Sequence, residues 1–352
     1  MRLFSTEQVT KYHPDKYADQ ISDAVLNACL DQDKDSRVAC ECMVKGTTVI
    51  LAGEITTKAK INYEEIVKRV ANKLGYTADH IETYIEKQSP EIAGGVRGGD
   101  DLRAGDQGIM FGFACSNTES GLPYPFELAN RLVELIEKDV VAQNSALKGD
   151  AKVQVTVDLD EPEDHRSLVE ILISVCHKEN FTLEEIRNYV RMLVYKSGID
   201  IGKAKLNINP AGTWTIGGPE SDCGLTGRKI VCDQYGGFVQ VGGGAFSGKD
   251  PSKVDRSAAY MANHIARYVV KKLEVAYAEV HLAYAIGEAE PVSVSVRTDE
   301  GNRVDWTITN LVKSKFDLTP RGIINHLDLL NVDYEKLAEG CHYRGELPKK
   351  NV

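Results

Sequence analysis

VACECMVKGTTVILAGE, residues 38–54, reads as two strands, 38–44 and 49–54, flanking a turn at Lys45 and Gly46. A helix precedes it, starting after Pro14 with Ile21, Val25 and Ala28 at helical spacing, and a second helix over 62–74 stops at Gly75. The order is helix, hairpin, helix. It returns from Pro125, where Leu128, Leu132, Leu135, Ile136 and Val140 mark one apolar face, through strands 153–159 and 168–177 to a helix over 183–196. A third round starts at Pro251, with Met261, Ile265, Tyr268 and Leu273 lining a helix, strands 280–286 and 292–297, and a helix over 321–330. Three such units predict an α/β (α+β) fold of three structurally similar two-layer domains in a pseudo-threefold repeat. Their sheets are expected to be mixed, mainly antiparallel and covered by helices on one face. Extra strands such as 205–209 should enlarge them. The units divide the chain at 1–104, 105–217 and 218–352, the first carrying a lid loop, with segments exchanged between domains in space.

A chain of 352 residues, 42% of them hydrophobic, can build real cores, and its mean hydropathy of -0.28 describes a soluble protein rather than a disordered or fibrous one. Its net charge of -10 argues against general attraction to nucleic acid or an anionic membrane, so any polyanion must be met by a local basic site. The first residues, MRLFSTEQVT, have no apolar core of signal-peptide length and no later run is long enough to span a membrane, so a cytoplasmic location is expected. Eight cysteines without a C-x-x-C pair predict buried reduced thiols rather than disulfides or a zinc site.

GGGAFSGKDPSKVD, residues 242–255, is a glycine-rich loop whose backbone N–H groups can close around an anion, with Lys249 and Lys253 adding positive charge. Asp250 and Pro251 read as the N-cap and first residue of the following helix. The P-loop pattern is absent, because Asp250 follows Lys249. YHPDK, residues 12–16, sets an imidazole, a carboxylate and an ammonium at a helix start. Asp15 suits a magnesium ion, which takes one or two protein carboxylates and completes its shell with phosphate and water, and Asp255 is the natural second carboxylate. In residues 217–237, Arg228 and Lys229 precede a run of β-branched residues read as a strand. Trp214 is either a sheet aromatic or a platform on which a purine stacks. EIAGGVRGGDDLRAGDQG, residues 91–108, reads as an interdomain linker, or as a mobile lid or substrate loop.

Six ordered motifs, YHPDK, GEITT (53–57), KQSPEI (87–92), AGDQG (104–108), DCGLTGRK (222–229) and GGGAFSGKDPSKVDRSAAY (242–260), resemble S-adenosylmethionine synthetase, also called methionine adenosyltransferase. The resemblance runs from Leu3 to Leu330 and implies a transferase that joins ATP to L-methionine by sulfur attack on the ribose 5′ carbon. The tripolyphosphate released is then hydrolysed to pyrophosphate and phosphate. A catalytically silent nucleotide-binding or partner-subunit relative is the alternative, and loss of His13, Asp15 or Lys229 would have signalled it. The resemblance places ATP on His13, Asp106, Asp150, Lys152, Thr213, Trp214, Asp222, Arg228, Lys229, Ala245 and Lys249. Of these, His13, Lys152, Arg228, Lys229 and Lys249 serve the triphosphate. Methionine falls to Glu54, Gln88, Asp222 and Lys253, two magnesium ions per site to Asp15 and Asp255, and one potassium ion to Glu41. It further implies a homodimer with shared active sites, paired into a homotetramer, and no nucleic-acid or membrane partner. Three features depart from the family pattern: Tyr12 where glycine is usual, Thr213-Trp214 for Arg-Phe, and a shorter tail.

Overall fold

The computed structural model describes residues 1–87, 97–98, 101–142, 145–299 and 303–345. In chain order the elements are β1 (Leu3–Val9), α1 (Pro14–Gln32), β2 (Arg37–Lys45), β3 (Thr48–Thr56), α2 (Tyr63–Lys73), β4 (His80–Glu86), β5 (Arg97–Gly98), β6 (Asp101–Leu102) and β7 (Gly108–Cys115). After them come α3 (Tyr124–Val140), β8 (Leu147–Asp158), β9 (Leu168–His177), α4 (Leu183–Lys196), β10 (Lys205–Ile208), β11 (Gly224–Leu225) and α5 (Ile230–Asp233). The last are α6 (Val254–Leu273), β12 (Tyr277–Tyr284), β13 (Ser293–Thr298), α7 (Trp306–Lys315), α8 (Pro320–His326) and α9 (Tyr334–Leu337).

Among the described residues these strands build three open sheets and one small ladder, ordered β1-β8-β9-β10, β11-β2-β3-β4, β13-β12-β7 and β5-β6. Side-chain alternation turns one face of each sheet inward: β2 buries Val38, Cys40, Cys42 and Val44 while Glu41 and Lys45 stay exposed. Helices α1 and α2 cover that face. In the first sheet Val153, Val155, Ile171 and Ile173 pack beneath Leu128, Leu132 and Ile136 of α3 and Ile186 and Val190 of α4. In the third, β7 and β12 lie under α6. Antiparallel pairs predominate, with β4 parallel to β3 and β10 parallel to β9.

Each sheet is completed by a strand from a distant part of the chain. β1 pairs with β8, from Leu3 opposite Asp158 to Val9 opposite Lys152. β11 joins β2, and β7 pairs with β12 along its whole length. All eight cysteines are free and seven are buried.

Two expectations are corrected. Helix α6 begins at Val254, not Pro251, because Asp250 is committed elsewhere: it binds the Val38 N–H through Oδ1 at 2.8 Å and the Ser252 N–H through Oδ2 at 2.9 Å, holding residues 250–253 in a turn against β2. The run after Lys229 is a one-turn helix, α5, not a strand; it buries Cys232 and Asp233, whose carboxylate meets Lys16 at 2.6 Å. The proposed lid, 91–108, lies partly outside the described residues, with β5 and β6 pairing within it.

Candidate functional site

Helix α1 starts where it does because His13 caps it. The His13 Nδ1 accepts the Asp15 N–H at 3.1 Å, and Pro14 supplies a preset φ with no N–H to satisfy. An imidazole that accepts through Nδ1 is neutral and carries its proton on Nε2. Burial, and then the charge of Lys229, push the His13 pKa down to about 3. His13 is therefore a hydrogen-bond donor at neutral pH, not a cation.

Asp15, wholly buried, gathers the cations of the 217–237 segment. Lys229 Nζ lies 2.5 Å from Oδ2, Arg228 Nε lies 3.2 Å from Oδ1, and the Leu225 N–H donates to Oδ1 at 3.0 Å. Burial opposes ionisation, but the hydrogen bonds from Lys229 and Leu225 outweigh it and hold the carboxyl below its usual range. The charge of Lys152, exposed on β8, also reaches His13.

One face of α1 fixes both anion loops. Asp19 accepts the Gly227 N–H at 2.9 Å, and Asp23, one turn later, accepts the Gly248 N–H at 2.8 Å. Each buried carboxylate meets a buried cation: Lys16, shared with Asp233, lies 3.0 Å from Asp19, and Arg256 grips Asp23 with a two-pronged contact at 2.7 and 2.6 Å. Sequence reading assigned nothing to Asp19, Asp23 or Arg256. The four-residue spacing of Asp19 and Asp23 puts both on one face of α1 but does not tell a loop anchor from a solvated charge.

The second anion loop carries its own pair. Lys249 Nζ lies 2.6 Å from Asp255 Oδ2, and Gly244 lets the backbone run where a Cβ would come within 2.3 Å of that carboxylate. Lys253 reaches Asp250 at 3.4 Å. Ala245 lies against Gly227, so the two loops touch. Glu54 is exposed on β3 opposite Ala39, which bridges to Lys249, and Asp106 is exposed beside β7. No hydrogen bond or ion pair among the described residues joins the Lys249–Asp255 pair to the His13–Asp15–Lys229 group.

A buried wall stands beside His13. Asp150, on β8, accepts the Gly218 N–H at 2.7 Å through Oδ2, while Oδ1 has no hydrogen-bond partner among the described residues. Burial raises its pKa to about 6 against the lowering effect of that bond and of Lys152; the charge of Asp222 acts in the raising direction. Trp214 is not on a strand: it lies half-buried after β10, donating its ring N–H to the Ile216 carbonyl at 2.7 Å. Thr213 beside it is exposed. Glu41 is exposed on the uncovered face of its sheet, and Gln88 lies outside the described residues.

Asp15 and Asp255 suit magnesium in kind, being single carboxylates that each face a lysine also able to meet a phosphate oxygen. No group of three or more His, Cys, Asp or Glu side chains able to hold a metal by themselves occurs among the described residues.

Comparison with known proteins gives the same answer over the whole chain. Residues 1–93, 101–214 and 216–350 match the models of the N-terminal, central and C-terminal domains of S-adenosylmethionine synthetase. An S-adenosylmethionine synthase of Brachyspira hyodysenteriae is 43% identical over 98% of this chain and 94% of its own length. One of Salinibacter ruber is 42% identical over 97% and 93%. The solved structure of an unusual S-adenosylmethionine synthetase from Campylobacter jejuni superposes with a TM-score of 0.87 at 32% identity, covering 100% of this chain and 96% of that one.

Proposed function

The chain belongs to the S-adenosylmethionine synthetase family and acts as a methionine adenosyltransferase, a premise from which we propose how its residues divide the work. A thioether sulfur needs no activating base, so the chemical task is to hold sulfur and the ribose 5′ carbon in line and to stabilise a highly charged leaving group. His13 donates its Nε2–H to the triphosphate, and Arg228, Lys229, Lys152 and Lys249 neutralise it. Lys229 and Arg228 now rest on Asp15, and Lys249 rests on Asp255. Nucleotide binding exchanges these carboxylates for phosphate oxygens.

Enzymes of this family need metal ions. Asp15 and Asp255 would hold two magnesium ions per site, which would supply neutralisation of charge on the leaving tripolyphosphate. Glu41 is assigned to potassium. Asp150, Trp214 and Thr213 line the nucleoside side, Ala245 borders the triphosphate, and Asp106 takes the ribose. Glu54, Gln88, Asp222 and Lys253 hold methionine, the acids facing its ammonium and the lysine its carboxylate. The family resemblance carries the expectation that each site is completed across a homodimer, itself doubled to a homotetramer. No helix among the described residues is long and apolar enough to cross a membrane, which is compatible with a cytoplasmic enzyme.

One observation carries this assignment: a neutral histidine donor and two cationic side chains, Arg228 and Lys229, lie around a single buried carboxylate, with both anion loops pinned to the helix that bears it. Incubation with ATP, methionine and magnesium should give the sulfonium product with equal amounts of pyrophosphate and phosphate, and chelation of the metal should stop it. ATP hydrolysis without a sulfonium product would refute the assignment.

A further inference from the structure

We infer that Tyr12 and Gly149 form a positioning couple, a ring seated on a residue without a side chain, that sets the separation between His13 and Asp150. This rests on the placement of both residues in the site. The turn that presents His13 closes with the His13 N–H on the Thr10 carbonyl at 3.0 Å. Thr10 staples that turn to the irregular start of β8: its hydroxyl donates to the Gly149 carbonyl at 2.7 Å and accepts the Ala151 N–H at 3.1 Å, and its own N–H reaches the Ala151 carbonyl at 3.1 Å. Between the two segments lies the Tyr12 ring, 4% exposed. Gly149 has φ +105°, and a Cβ there would stand 2.7 Å from Cγ and Cδ2 of Tyr12 and 3.1 Å from Cδ1.

The main chain of Tyr12 is held as well. The Tyr12 carbonyl accepts the Tyr76 hydroxyl, and the Tyr76 ring packs on Tyr17 of α1 at 5.2 Å. A side chain at residue 149 can therefore be accommodated only by moving the ring, by about 0.7 Å if contact is to relax from 2.7 to 3.4 Å. That displacement acts on the residue before His13 and on the residue before Asp150. The Tyr12 hydroxyl makes no hydrogen bond among the described residues, so the ring, not the phenol, does the positioning.

The test is a double-mutant cycle. Gly149→Ala should lower kcat/KM for ATP about tenfold or more, with effects in both kcat and the ATP KM and less than a twofold change in the methionine KM. In a Tyr12→Ala background the same substitution should cost at least about fivefold less. The strain of alanine at φ +105° is present in both backgrounds and cancels, leaving the contact. Tyr12→Phe should match the parent. If the Gly149→Ala chain does not fold, Tyr12→Trp presses on the same contact from the other side and should lower kcat/KM for ATP likewise. Equal cost in both backgrounds, loss of thermal stability without a kinetic change, or an unaffected Tyr12→Trp enzyme overturns the couple. His13→Asn separates the premise: if it keeps parental turnover, the placement of His13 in the site is wrong whatever the cycle shows.

Discussion

Replacing Asp23 with asparagine keeps the shape of the side chain and an oxygen for the Gly248 N–H but leaves the Arg256 guanidinium charged and without a counterion. Both groups are 0% exposed, and they meet through two hydrogen bonds of 2.6 and 2.7 Å. Burial weighs against the charge of Arg256 and Asp23 offsets it, but a guanidinium is not deprotonated in a protein, so the arginine keeps its charge when its partner is lost. Breaking a buried pair in this way costs about 3–5 kcal/mol. With an unfolding entropy of about 2.1 cal/mol/K per residue, 352 residues give about 0.7 kcal/mol/K, so the melting temperature should fall by roughly 4–7 °C. Calorimetry and urea unfolding measure this directly. Turnover below the transition should stay within about tenfold of the parent, because the asparagine oxygen still holds Gly248 and with it the Lys249 loop. Asp23→Asn with Arg256→Met removes both charges and should recover most of the loss. A cost below about 1 kcal/mol for Asp23→Asn would place the pair with ordinary surface ion pairs and refute the reasoning.

Lys229→Ala should fold normally yet lose about 10²–10³ in kcat, since a donor to the leaving group disappears; near-parental turnover at saturating substrates would remove Lys229 from that role. Asp150 binds its proton more tightly folded than unfolded, with a pKa of about 6 against 3.8. Stability should therefore fall as pH rises from about 4 to 6, by up to about 3 kcal/mol, and Asp150→Asn should lack this component in matched denaturation curves. Protonation should also weaken the proposed contact of Asp150 with the nucleoside, so the ATP KM should rise below about pH 6 in the parent and not in Asp150→Asn. Co-expression of His13→Asn and Lys249→Ala chains should restore about a quarter of parental activity, because half the dimers are mixed and half their sites intact. Purified mixed dimers as inactive as either parent would show that these residues do not meet across an interface.

Elements that state their own boundaries were legible in the sequence. Strands β2 and β3 alternate around a Lys-Gly turn, and α4 carries a capping box from Thr182 to Glu185. Of the elements that went unread, β1, β7 and β11 owe their state to partners far along the chain. β4 is mostly exposed and pairs in parallel with β3, and β7 follows directly on a glycine-rich stretch. Local pattern cannot reveal a partner more than a hundred residues away. The same limit applied to the site. Motifs named Asp15, Lys229, Lys249 and Asp255, and the structure brings them together in two pairs. The buried carboxylates and arginine behind the loops were invisible because their roles depend on segments more than two hundred residues apart. Asp250 misled because its side chain ties a turn to β2 rather than capping α6.

The distant pairing of strands sets the order of events on the ribosome. β7 ends at Cys115 and its partner β12 begins at Tyr277, 162 residues later. At about 5–20 residues per second, the nascent chain carries β7 as an open, apolar edge for roughly 8–32 s before its partner exists. β2 waits for Gly224, and β1 waits for Leu147. None of the three larger sheets among the described residues is complete until its distant strand is made, so production of the protein in cells should depend on translation speed and chaperone supply to a degree that the stability of the finished fold does not foretell.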